Sequence, residues 1–128
     1  MREPTVRLVY ERTSPPGVDA GVEPLIAVCT TEEEAEDVRR ASDAGGRYAS
    51  WEEHPLQGAA GRTSALVNGE MVHVVLLGDV QAEPRDPIGI AIYTEREEAE
   101  RRTADELHRT GDPGYRTVSL RIGWRTDS

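Results

Sequence analysis

The chain echoes itself. Thr30, Glu33, Glu34, Ala35 and Glu36 recur as Thr94, Glu97, Glu98, Ala99 and Glu100, all 64 positions further on. Tyr48 and Tyr115 correspond in the same way once three residues are inserted in the second copy. The order of these coincidences reads as a tandem duplication of one ββαβ unit. Residues 1–56 form the first repeat, 57–63 a small polar linker, and 64–128 the second repeat, the two expected to make one compact domain. Two units of this size have a reason to lean on each other, because a chain of some sixty residues buries little surface alone.

Each copy reads in the same order. Val6 to Glu11 alternates as a strand does. A long loop from Arg12 to Glu23 leads to Pro24–Cys29, an apolar run expected in a strand buried on both faces. Thr30 with Glu33 forms a capping box that starts a helix, and Gly45-Gly46 ends it. Arg47 to Glu53 is then a third strand. The second copy gives Val72–Leu77, a loop over 78–86, Pro87–Tyr93, a capping box at Thr94 and Glu97, a helix to about Arg109, and a last strand over Tyr115–Ile122. Asn68-Gly69 between apolar residues predicts an I′ hairpin turn and an extra short strand before Val72.

Within one copy, a right-handed crossover gives strand order 2-1-3, a split βαβ related to half of a ferredoxin-like fold. The fold expected is α+β, mostly antiparallel, with two helices on one side of the sheet. Alternation places Val6, Leu8, Tyr10, Val72, Val74 and Leu76 under the helices. In the last strand, Val118, Leu120, Ile122 and Trp124 point one way, and Thr117, Ser119 and Arg121 face water. The helix stripes are thin: Ala35, Val38 and Ala41 or Ser42 in one, Ala99, Thr103 and Leu107 in the other. Pairs such as Glu36–Arg40, Glu97–Arg101 and Glu98–Arg102 add about 0.2–0.5 kcal/mol each, and the acid-first, base-last order of the first helix suits its dipole.

That leaves a second apolar face containing Val9, Leu25, Ala27, Cys29, Met71, Val75, Leu77, Ala91 and Tyr93. Such a face does not stay in water. Either the two copies pack on each other there, or a second chain covers it. Val9, Met71, Val75, Leu77 and Tyr93, with Trp51 and Trp124 near strand ends, are therefore the expected interaction residues.

Composition narrows the partners. The net charge is -9 and the basic residues are all arginine, the bias of a GC-rich genome. No basic stripe is visible, so no nucleic acid is expected, and an acidic chain is repelled by anionic membranes. The start of the chain lacks the apolar core of a secretory signal, and no run is long enough to cross a bilayer; a cytoplasmic protein is expected.

The chemistry-bearing residues form no cluster. His54, His73 and His108 lack the spacing of a metal site. The run Glu32, Glu33, Glu34, Glu36 and Asp37 points around its helix, so its carboxylates do not converge. Cys29, the single cysteine, lies in an apolar strand and is expected to be inert. No catalytic residue, cofactor or metal is expected. The long loops 12–23 and 78–86 are the first place to seek a recognition surface.

The segment Ile26 to Glu36 and its echo Ile90 to Glu100 resemble a pattern in small bacterial and phage proteins: a strand, Thr-x-x-Glu with a following alanine, a helix, and a tyrosine-bearing strand. The resemblance implies a ββαβ fold and no activity. The expectation is a non-enzymatic, acidic protein-interaction module, self-associating as a homodimer or part of an assembly. One alternative is a small-ligand sensor with a pocket between the repeats lined by Tyr10, Tyr48, Tyr115 or the tryptophans. Another is an acidic inhibitor or immunity-type protein that blocks a basic partner.

Overall fold

The computed structural model describes residues 4–15, 22–59, 64–82 and 85–126. Eight elements follow in the order β1 (Thr5–Arg12), β2 (Leu25–Cys29), α1 (Glu32–Ala44), β3 (Tyr48–Gln57), β4 (Met71–Leu77), β5 (Ile88–Tyr93), α2 (Arg96–Thr110) and β6 (Tyr115–Arg121). The fold is α+β, and its six strands form one sheet in the order β2-β1-β3-β5-β4-β6. Every neighbouring pair is antiparallel except β3 with β5. In each half the first strand sits between the second and the third. Among the described residues, no helix is long and apolar enough to cross a membrane.

The sheet closes on itself. After β6 the chain turns at Gly123, with Trp124 N donating to Arg121 O, and then runs back along the outer edge of β2. Gly123 N donates to Val28 O, Val28 N to Trp124 O, and Thr126 N to Ile26 O, and Ala27 bridges Arg125 in antiparallel sense. The free edge of β2 is thereby covered by the chain's own later segment, which is how a barrel-like sheet avoids an exposed edge.

One core fills the interior. Val6, Leu8, Tyr10, Leu25, Val28, Leu56, Val72, Val74, Leu76, Ile92 and Ile122 form a single buried cluster drawn from both halves. This inverts the expected faces. Val6, Leu8, Tyr10 and their counterparts point away from the helices, while Val9, Ala27 and Cys29 pack with Ala35 and Val38 of α1. The physical reason is volume: the small helix residues leave room only for small partners, so the bulkier side chains fill the interior instead. Each fully buried Leu, Ile or Val there contributes ~1.5–3 kcal/mol, against tenths for a surface ion pair, so the core decides the fold. Much of the second face is covered within the molecule, Val9, Ala27 and Cys29 by α1, while Met71 stays 42% exposed.

Local chemistry departs from the sequence expectations in several places. The N-cap of α1 is Thr31, not Thr30: its hydroxyl accepts from Glu34 N, and both threonine hydroxyls reach the Glu34 carboxylate. The box slides one residue because the backbone is still extended at Thr31, φ -121° and ψ 154°, while the Thr30 carbonyl accepts from Arg7. The N-cap of α2 is Glu95, without a side-chain cap, and Thr94 N instead donates to Gln57 O. Residues 64–70 form no strand. At the Asn68-Gly69 turn only Gly69 has positive φ, at 97°, so the I′ geometry that would seed a hairpin is not adopted. Gln57, expected in the linker, ends β3.

The helices pair their charges differently too. Arg39 bonds Glu36 at 2.6 Å and lies 3.6 Å from Asp43, Arg40 pairs with Asp37, and Arg96 with Glu100. The last turn of α1 carries no basic residue, whereas that of α2 carries His108 and Arg109. In α2, Leu107 is 43% exposed, and Glu106 is buried in its place alongside Ala99, with its carboxylate between Arg102 and Arg109. The polar face of β6 is open to water only at Arg121: Thr117 shares a hydrogen bond with Thr103 of α2 at 2.7 Å, and Ser119 with His73 at 2.8 Å. The second helix thus rests on hydroxyls where the first rests on methyls.

The loop before β5 plugs the barrel end. Gly78 has φ +107°, and a β-carbon there would collide with the Asp86 backbone. Ala82 is buried, Val80 packs on the core, and Leu25 N donates to Val80 O at 2.9 Å. Residues 16–21 of the first loop and 83–84 of the second lie outside the described residues.

Candidate binding cleft

The seam between the two halves is where the sheet is least complete. β3 and β5 run parallel but share only two residue pairs, Leu56 with Ile92 and Gln57 with Tyr93. Toward the start of both strands they part into a V. Two sequence features account for it. Pro55 has no N–H to continue the ladder. The β4–β5 register also shifts, with Val75 opposite Ala91 and Leu76 opposite Gly89. The residue skipped is Ile90, and a bulge of this kind bends the strand away.

The main-chain groups facing the V follow from alternation. Leu56 N donates to Pro4 O on the β1 side, whereas Gln57 O accepts from Thr94 N on the β5 side. The β1–β3 register is unbroken from Thr5 with Pro55 to Arg12 with Tyr48. Ala49, Trp51 and Glu53 therefore turn their N–H and C=O groups toward β5, and none has a strand partner there among the described residues.

A cleft of about 300 Å³ occupies the mouth of the V, lined by Tyr10, Glu23, Ser50, Glu52, Pro87 and Ile88. Tyr10 reaches it from the interior: its ring is buried and its hydroxyl donates to Glu52 Oε1 at 2.8 Å. His54 Nε2 stands 3.5 Å from the same oxygen. Gly89 makes room for this group, since a β-carbon there would lie 2.8 Å from Leu8 Cδ1, 2.9 Å from the Tyr10 hydroxyl and 3.0 Å from His54 Nε2. Burial, and then the hydrogen bond to Glu52 and its charge, hold the Tyr10 pKa far above the ordinary tyrosine value, so the phenol stays a neutral donor.

The cleft is acidic. Glu23 is engaged by Arg12 at 3.4 Å and Glu53 by Arg7 at 3.7 Å. Among the described residues, Glu52 faces the Tyr10 hydroxyl and His54 but no guanidinium, and half of its side chain is exposed. It can therefore accept a charged donor without giving up an arginine partner. The arrangement places a carboxylate, an imidazole and a phenol at one cleft, beside strand amides without a ladder partner among the described residues.

The chain was also compared with protein-family models, curated proteins and solved structures. Nothing matches in any of the three. The site therefore stands on its geometry.

The residues expected to meet a partner do not form one surface. Val9 and Val75 are fully buried and offer a partner nothing. Trp51 packs against the cluster under α1, Leu77 is half-buried, and the Tyr93 hydroxyl accepts from Arg102 at 3.3 Å. Only Met71 and Trp124 come together, in a shallow cup of about 460 Å³ with Ser119 and Leu120. Of the tyrosines and tryptophans expected around a pocket between the copies, Tyr10 alone lines the cleft.

Sequence reasoning missed Glu52 and His54 because their significance comes from Tyr10, more than forty positions away. The signals that could have found them are Pro55 in β3 and Gly89 in β5. Cys29 is buried and its thiol pKa is pushed up to about 11 by burial and then by Glu34, which leaves it a poor nucleophile. No group of metal-ligating side chains occurs among the described residues.

Proposed function

We propose that the chain is a non-enzymatic interaction module that binds a basic protein partner through the acidic cleft between β3 and β5. The observation that carries this reading is the incomplete seam: two residue pairs, then strand amides without a ladder partner beside a carboxylate that has no guanidinium, both among the described residues. The net charge of -9 would draw a basic partner in and make the encounter salt-sensitive. Self-association has less support, because most of the apolar face that called for cover is buried within the chain, Met71 excepted.

The chain is further proposed to be a tandem duplication of a ββαβ unit related to half of a ferredoxin-like fold. The common strand order in both halves favours it. So does the register shift between β1 and β2, where Val9 faces Ala27 and Tyr10 faces Leu25. It skips Ile26, 64 positions before Ile90. On this reading the cleft arises at the junction where one unit meets the next.

Calorimetric titration with short arginine-rich, neutral and glutamate-rich peptides, at low and at high salt, tests the function. Binding of the arginine-rich peptide alone, weakened by salt and by Glu52→Gln, is the expected result. Equal binding of all three, or of none, removes the reading.

A further inference from the structure

The closed sheet has two seams that differ in what covers them. In one, the edge of β2 is covered by Trp124 to Thr126, an extended segment that the chain folds back on itself. In the other, among the described residues, β5 and the facing edge of β3 share only two ladder pairs, and Gly89 of β5 packs against the Tyr10 hydroxyl and the His54 ring. Ile26, whose carbonyl accepts from Thr126 N at 2.8 Å, corresponds in the repeat to Ile90, which stands at the open seam. The covering segment also carries a cation: Arg125 lines a cleft of about 250 Å³ together with Glu34 and Asp37.

We propose that the open seam is completed by strand addition: an extended peptide segment of another protein, carrying an arginine or lysine, lies against β3 and β5. There it takes the place that Trp124–Thr126 holds at β2. This rests on the interaction reading above and deepens it by naming the partner's conformation and chemistry. Main-chain bonds to Ala49, Trp51 and Glu53, and to the Ile90 carbonyl as Thr126 N bonds the Ile26 carbonyl, supply affinity that does not depend on side chains, as in other β-augmentation. The basic side chain enters the cleft over Pro87 and Ile88 and meets the Glu52 carboxylate, with Glu23 at the far wall. A charge-assisted bond to a guanidinium fits Glu52 because Tyr10 and His54 both approach Oε1 and leave Oε2 for the incoming donor. A basic helix would present the charge but not the amides; the open amides favour an extended chain.

Titration with a short extended peptide of the form Val-Trp-Arg-Thr-Val, followed by amide hydrogen exchange, tests this. The N-methylated version and a version with glutamate in place of arginine serve as controls. The proposal expects protection of the amides of Ala49, Trp51 and Glu53. It expects affinity to fall about tenfold or more when the peptide backbone is N-methylated, and binding to vanish with glutamate. Glu52→Gln should weaken binding while leaving the unfolding midpoint nearly unchanged. If the basic peptide binds but N-methylation has no effect and those amides stay unprotected, strand addition is wrong while the basic-partner reading stands. If neither basic nor acidic peptide binds, both fall.

Discussion

The Tyr10 hydroxyl, carried on a ring buried in the shared core, donates to the Glu52 carboxylate at the mouth of the seam. A residue of the interior thus sets the charge pattern of the surface. Its pKa is raised in the folded chain, by burial first and Glu52 second. The folded state therefore holds a proton that the unfolded state releases near pH 10. The stability linked to this proton is fully present below that pH and is lost as the pH climbs through and beyond it. Spectrophotometric titration should show one of the four tyrosines resisting ionisation until the chain unfolds, and Tyr10→Phe should abolish that lag.

Gly78→Ala probes the plug at the barrel end. The substitution combines a positive φ with collision against the Asp86 backbone, which cannot swing aside as a side chain does. A loss of about 1–3 kcal/mol is expected, measured by urea denaturation. Gly46→Ala, with positive φ but open space, should cost less.

A chain ending at Gly123 tests the closure of the sheet. It loses the bonds from Val28 to Trp124 and from Thr126 to Ile26, each worth ~0.5–1.5 kcal/mol, and the packing of Trp124 on the core. A loss of stability of about 2–4 kcal/mol is expected. The uncovered β2 edge should also promote self-association in light scattering, whereas the full chain should stay monomeric.

The two halves should unfold together. Leu8 from the first and Leu76 from the second are both fully buried in one cluster. Either one changed to alanine should lower the stability of the whole molecule by ~2–5 kcal/mol, with coincident transitions by tryptophan fluorescence and circular dichroism. Two separate transitions would mean that the halves fold independently.

Much of the architecture is legible in the sequence. Alternation and apolar runs locate all six strands, and glycine marks both helix ends, because these depend on local periodicity. Which face meets the helices is not legible. Leu8 and Val9 are both strongly apolar, and only the small size of Ala35 and Val38 on the opposing helix decides between them. The turn at Asn68 departs from its local signal for a related reason, since Gly69 N is claimed by Ile122 O across the sheet. The site is the least legible part. Tyr10, Glu52, His54 and Gly89 are drawn together by the pairing of β1 with β3 and by a two-residue parallel ladder, which no local pattern encodes.

Whether the seam binds a basic partner is tested most directly by mapping backbone amide chemical shifts during titration with an arginine-bearing extended peptide. Changes concentrated at Ser50 to His54 and Ile88 to Ile90 are predicted. Changes centred instead on the cup of Met71, Leu120 and Trp124, or none at saturating peptide, would contradict the proposed site.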